Sequence, residues 1–281
     1  MTTKIFDPDQ VLTPHQFDPD LGDYPKKILA QGDSWFSIGA IPPWATSNIL
    51  FELNFNETVG IVNCAYPGRE MRVMSDPNAC GQFTSLMAGK FSWKWDAILI
   101  SGGGNDMISA LNSGLILDSA RWDPSSSSVM RYVDPKLLDE FCVNLASYVR
   151  QIITLRDSGQ NANVPLLFHT YDYAVPRDAP VIPGVGPWLY PVVSAGGKNI
   201  PQSDWIPLTD LLIDKVASTI MTTAATNVFV VDTRGKLTPA VAGSDSISNN
   251  WENEIHPTPS GYSRLALTWE DLLEHCPARI C

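Results

Sequence analysis

Positive charge is scarce in this chain. Nineteen Lys and Arg stand against thirty Asp and Glu, a net charge of −11 at pH 7. A field of that sign repels phosphate backbones and anionic headgroups, so no nucleic-acid partner is expected. A long apolar run is also missing. The stretch that comes nearest, residues 179–197, is interrupted by four Pro and four Gly, so it would leave backbone groups unsatisfied in lipid and no membrane span is expected. The first thirty residues scatter acids and prolines where a secretory leader needs an apolar core, which points to a cytoplasmic protein. His15 and His275 have no partner at ligand spacing, and His169 sits inside an apolar run as a core or strand-end residue would. Neither a metal nor a cofactor is therefore expected. The five Cys, at 64, 80, 142, 276 and 281, are an odd number without metal-like spacing. They read as mostly free thiols, with Cys64–Cys80 and Cys276–Cys281 as the pairings to consider.

What is present suffices for a large core: 281 residues, 44% apolar and 17% charged. Short runs rich in Ile, Val, Leu and Phe recur at 27–31, 59–64, 97–101, 164–170 and 228–232. Strands covered on both faces read this way. Helical periodicity appears at 47–54, 135–156, 207–223 and 257–275. The alternation predicts an α/β fold, a three-layer α/β/α sandwich with a mainly parallel five-stranded sheet. Residues 1–24 read as an N-terminal arm and 25–281 as one domain, with long loop insertions at about 107–134 and 172–206. The second insertion carries Trp188, Tyr190 and Trp205, large side chains suited to a packed lid.

In an open parallel sheet, ligands lie beyond the carboxyl ends of the strands. Gly32-Asp33-Ser34-Trp35 follows the first expected strand, Asn63 to Gly68 the second and Gly103-Gly104-Asn105-Asp106 the third. Asn253-Glu254-Ile255-His256 stands between the fifth strand and the last helix. Singly, each is an ordinary cap or turn. Together they bring a hydroxyl, an imidazole and candidate N–H donors to one edge, the set that acyl transfer needs.

In these blocks the chain resembles the SGNH, or GDSL-type, hydrolase family. That family carries a Gly-Asp-Ser, an Asn followed five residues on by Gly, a Gly-x-Asn-Asp and a terminal Asp-x-x-His. The first three match at Gly32–Ser34, Asn63 with Gly68, and Gly103–Asp106. The resemblance runs from about residue 27 to 275 and implies a flavodoxin-like fold and a serine hydrolase that cleaves carboxylic esters through an acyl-enzyme. It implies Ser34 as nucleophile, His256 as base, and an oxyanion hole from the Ser34 and Gly68 amides and the Asn105 side chain. Asp33 and Asp106 then have structural roles. Trp35, Trp188 and Tyr190 are candidate pocket residues for small-molecule or glycan esters.

The fourth block departs from the pattern, because Asn253 stands where the family has Asp. Three readings follow. Glu254 reaches the ring of His256, with Glu252 and Asp245 as lesser candidates; or Asn253 or a main-chain carbonyl accepts from the ring; or the protein is a weakened binding module. The first of these leads. Within the enzyme class, an esterase and a carbohydrate O-deacetylase both suit the motifs.

Overall fold

The computed structural model describes residues 3–37, 47–223 and 225–276. Its strands are β1 (Thr3–Phe6), β2 (Lys26–Gly32), β3 (Val59–Asn63), β4 (Ala97–Ser101), β5 (Leu166–His169) and β6 (Val228–Val231). The helices between and after them are α1 (Pro8–Leu12), α2 (Ser34–Ser37), α3 (Ile49–Glu52), α4 (Met71–Met74), α5 (Gly81–Met87) and α6 (Gly104–Ala110). There follow α7 (Pro135–Asp157), α8 (Tyr190–Ser194), α9 (Trp205–Met221) and α10 (Pro259–His275).

Every strand pairing is parallel and the order is β1-β3-β2-β4-β5-β6. The five expected strands are all present. The sixth, β1, lies within the segment read as an arm: Thr3 to Phe6 pair in register with Val59 to Val62. Four residues are too few to show a period, so its place is decided by the open edge of β3 rather than by its own pattern.

The long helices form where their sequences both cap and bury. At α7, the Asp134 carboxylate accepts from the Lys136 and Leu137 amides and Pro135 takes the first position. Leu138, Phe141, Leu145, Val149 and Ile152 then recur every three or four residues as a buried stripe. At α10, Thr258 caps, Pro259 follows, and Tyr262, Leu265, Trp269 and Leu273 face inward. Helix α7 packs on α4, α5, α6 and α9, while α3 packs on α2 and α10. These two groups cover the faces of a sheet whose central strands β2, β4 and β5 are buried along their carboxyl halves.

The chain leaves β2 outward to β3 and returns past it to β4, so the order reverses between β2 and β4. A crevice opens at such a reversal. There the Asp33 amide donates to the Ser101 carbonyl at 3.1 Å, and the Tyr66 amide donates to the Gly32 carbonyl at 2.9 Å. The ends of β2, β3 and β4 are thereby tied together.

Cys64, Cys80 and Cys142 are free thiols, so the Cys64–Cys80 pairing does not occur. The Cys276–Cys281 pairing lies outside the described residues. Among the described residues, no helix is long and apolar enough to cross a membrane.

Candidate active site

Ser34 opens α2 immediately beyond β2. The turn that presents it is close-packed: a Cβ on Gly32 would stand 3.0 Å from the Phe36 ring and from both the Cβ and carbonyl oxygen of Ser101. A side chain there would push these neighbours apart by a few tenths of an ångström, which glycine avoids. Asp33 then holds the helix start, its Oδ1 accepting from the Trp35 amide at 3.0 Å.

His256 arrives from the other end of the chain, in the loop before α10. Its Nε2 lies 2.9 Å from Ser34 Oγ and its Nδ1 lies 3.0 Å from Asn253 Oδ1. The Asn253 oxygen also accepts from the backbone amides of Ile255 at 3.2 Å and His256 at 3.0 Å. Two N–H donors converging on one atom identify it as the carbonyl oxygen rather than the NH₂. Ring Nδ1 must then carry the proton and Nε2 the lone pair that accepts from the Ser34 hydroxyl. Such a pair can move a proton from Oγ to nitrogen. Burial pushes the imidazole pKa down to about 4. The Trp188 ring packs edge-on against the imidazole, with centroids 5.6 Å apart.

Glu254 does not reach the ring. Its carboxylate turns toward the 172–206 insertion, where it accepts from the backbone amides of Leu189 at 2.8 Å, Tyr190 at 2.7 Å, Arg177 at 3.2 Å and Trp188. Burial pushes its pKa up, and these four N–H donors oppose that shift. The reason is local: Asn253 turns back onto its own loop, while the Glu254 amide donates to the Ala179 carbonyl at 2.9 Å and commits the residue to the insertion. Asp245 is exposed, and Glu252 donates its amide to the His256 carbonyl at 2.8 Å.

Asn105, at the start of α6, donates its Nδ2 to Asp33 Oδ2 at 3.2 Å and to the Arg69 carbonyl at 3.4 Å. Gly68 sits in the exposed turn between Tyr66 and Arg69 at φ +75°, a conformation that favours glycine. Asp33 also accepts from Ser101 Oγ at 3.1 Å and from the Tyr171 hydroxyl. Its burial outweighs these bonds and raises its pKa to about 6. Asp106 accepts from the Met71 amide at 2.7 Å and the Arg72 amide at 3.2 Å, tying α6 to α4, and burial lifts its pKa to about 6 as well.

A cavity of about 60 Å³ opens beside Ser34. Trp35, Asn105, Ile108, Tyr171, Leu189 and Ile213 lie on its lining. Trp35 is thus at the site, whereas the Tyr190 ring turns away to pack on Trp205, centroids 5.8 Å apart. Trp188 meets His256 instead of this lining. Sequence reading missed Tyr171, which follows β5 at the strand end that carries no recognised motif. Its φ of +66° is unusual for a bulky side chain and is the backbone signature of a constrained site. His169, the last residue of β5, is buried, with Nε2 2.8 Å from Thr233 Oγ1. Among the described residues, no group of three or more His, Cys, Asp or Glu is arranged to hold a metal ion.

No curated protein sequence matches the chain. Similar solved structures include a GDSL-like lipase candidate from Parabacteroides merdae, at 12% identity over 90% of this chain and 98% of that one, TM-score 0.45. An acetylxylan esterase from Geobacillus stearothermophilus aligns at 16% identity over 88% and 93%, TM-score 0.45. An acetyl xylan esterase from the rumen bacterium Butyrivibrio proteoclasticus aligns at 14% over 90% and 64%, TM-score 0.44. The model of the GDSL-like lipase/acylhydrolase family matches residues 28–269. With that match spanning most of its length, the chain belongs to the GDSL-like lipase/acylhydrolase family and is an ester hydrolase.

Proposed function

We propose that the protein hydrolyses carboxylic esters of small molecules or glycans through an acyl-enzyme on Ser34, with His256 as the base and Asn253, not a carboxylate, as the group that orients it. The observation that carries this reading is the relay from Ser34 Oγ through the imidazole to Asn253 Oδ1, at 2.9 and 3.0 Å.

In the first half-reaction Oγ attacks the carbonyl carbon while its proton passes to Nε2. The oxyanion is met by the Ser34 and Gly68 amides and by the Asn105 NH₂, which keeps its bond to Asp33 and exchanges the long 3.4 Å bond to the Arg69 carbonyl for the oxyanion; losing one such donor typically costs ~10²- to 10³-fold in rate. The intermediate collapses, the C–O bond to the alcohol breaks, and the imidazolium returns its proton to the leaving oxygen. Water then repeats the sequence on the acyl-enzyme and frees the acid and Ser34.

An Asn in place of a triad Asp can cost ~10⁴-fold elsewhere, partly because the ring adopts the wrong tautomer. Here the two backbone amides on Asn253 Oδ1 favour the productive tautomer. What Asn253 lacks is charge to stabilise the imidazolium. The reading is tested by fluorophosphonate labelling and by release of nitrophenol from p-nitrophenyl acetate. Wild type takes label and turns over; Ser34→Ala and His256→Ala lose turnover, and Ser34→Ala loses label. Undiminished turnover in Ser34→Ala would refute the assignment.

A further inference from the structure

The site's acyl specificity can be read from which part of an ester the cavity must hold. Ser34 and Asn105 both lie on the lining, so a carbonyl attacked by Oγ with its oxygen toward the Asn105 amide sends one of its two substituents into the cavity. The leaving oxygen has to reach His256 Nε2, because that nitrogen returns the proton. Among the described residues, His256 is not on the cavity lining. The alkoxy group therefore stays on the His256 side and the acyl group enters.

The volume limits the length of that acyl group. A cavity of 150 Å³ with aliphatic walls accepts benzene, six carbons. At the same ratio the 60 Å³ here takes about two or three carbons beyond the carbonyl. Ile108 from α6, Leu189 at the start of α8 and Ile213 from α9 meet around this space. The remaining lining is mainly apolar, and its charged members, Asp33 and Asp172, are both acidic. A carboxylate on the acyl chain would be desolvated and repelled there.

We infer that the substrates are esters of short, uncharged acyl groups, acetyl to butyryl, and that Leu189 and Ile213 set the length limit. The inference rests on Ser34 being the nucleophile. It assigns no identity to the alcohol, which faces away from the cavity.

The test is the chain-length profile of kcat/KM on p-nitrophenyl acetate, butyrate, octanoate and hemisuccinate, read alongside fluorophosphonate labelling of Ser34. Acetate or butyrate is expected to be the best substrate, with octanoate and hemisuccinate each at least ~10-fold poorer. Ile213→Ala and Leu189→Ala are each expected to raise the octanoate-to-butyrate ratio about tenfold. Ile213 is only partly buried, so its variant tests the limit even if Leu189→Ala folds poorly. An octanoate optimum in wild type, or an unchanged ratio in both variants, overturns the size inference while labelling leaves the nucleophile standing. Absence of both label and hydrolysis of every ester overturns the nucleophile reading and this inference with it.

Discussion

Asn253 bears most directly on how the site performs. Its oxygen is held by two backbone amides and holds the ring in turn, so geometry is supplied without charge. Changing Asn253 to Asp keeps those acceptor roles and adds a carboxylate beside the imidazole. Because opposite charge favours the imidazolium, the His256 pKa rises, by ~1–3 units in comparable pairs. Asn253→Asp is expected to raise kcat by roughly tenfold, well short of the ~10⁴ seen where the tautomer also has to be repaired. A fall in kcat would show that the site is tuned to a neutral partner. In wild type, the imidazole pushed down to about 4 stays unprotonated, and able to accept the Ser34 proton, throughout the neutral range. Asp33, raised to about 6, is ionised above that value and there accepts fully from the Asn105 amide. The pH profile of kcat/KM should therefore be flat above about 7, drop partially through about 6 and fall away through about 4. A single acid limb centred near 7 would contradict both assignments.

At the scale of elements, the Glu254 carboxylate and the Arg177 guanidinium fasten the 172–206 insertion to the His256 loop. Glu254 accepts from four backbone amides of that insertion, and the Arg177 guanidinium donates to the Asn253 carbonyl. The same fastening sets Trp188 against His256 and Leu189 on the cavity. Glu254→Gln puts an NH₂ among N–H donors, removing charge-assisted bonds and leaving donors unpaired. The expected cost is about 2–4 kcal/mol, or roughly 3–7 °C in Tm for a chain of this size. Proteolysis should become faster within residues 172–206. The acid limb belonging to His256 should stay where it is, because Glu254 does not touch the ring. A shifted limb with an unchanged Tm would reinstate Glu254 as the orienting group.

For the whole molecule, β1 matters more than its four residues suggest. It covers the edge of β3, and Phe6 and Leu21, both in the segment before β2, are buried in the common core. A chain beginning at residue 25 loses that burial, at about 3–5 kcal/mol for the Phe alone. It also exposes an unpaired parallel edge, a template for aggregation. Light scattering and thermal melts should show an earlier, aggregation-prone transition; an unchanged melt would mean the segment is only an arm. The excess of negative charge acts at this scale as well, favouring neutral esters over polyanionic ones at the level of encounter.

Much of this was legible in the sequence because the relevant features are contiguous. Apolar runs marked β2 to β6: the inner strands, buried on both faces, have no polar alternation to disguise them, and the partly buried edge strand β6 is apolar throughout as well. Gly32-Asp33-Ser34, Gly103 to Asp106 and the terminal His256 are short blocks whose residue types announce their chemistry. Direction was not legible. Whether Asn253 or Glu254 faces the ring depends on how one loop turns against an insertion some 65 residues away in the chain, and adjacent side chains in such a loop diverge. Tyr171 carried no motif, and its hydroxyl reaches Asp33 only because β5 lies beside β4. The chain alone thus determined its fold class and its nucleophile–base candidates. The partner of the imidazole, the fastening of the insertion and the size of the cavity beside Ser34 were decided only by tertiary packing, because each depends on surfaces that meet across the sheet rather than along the chain.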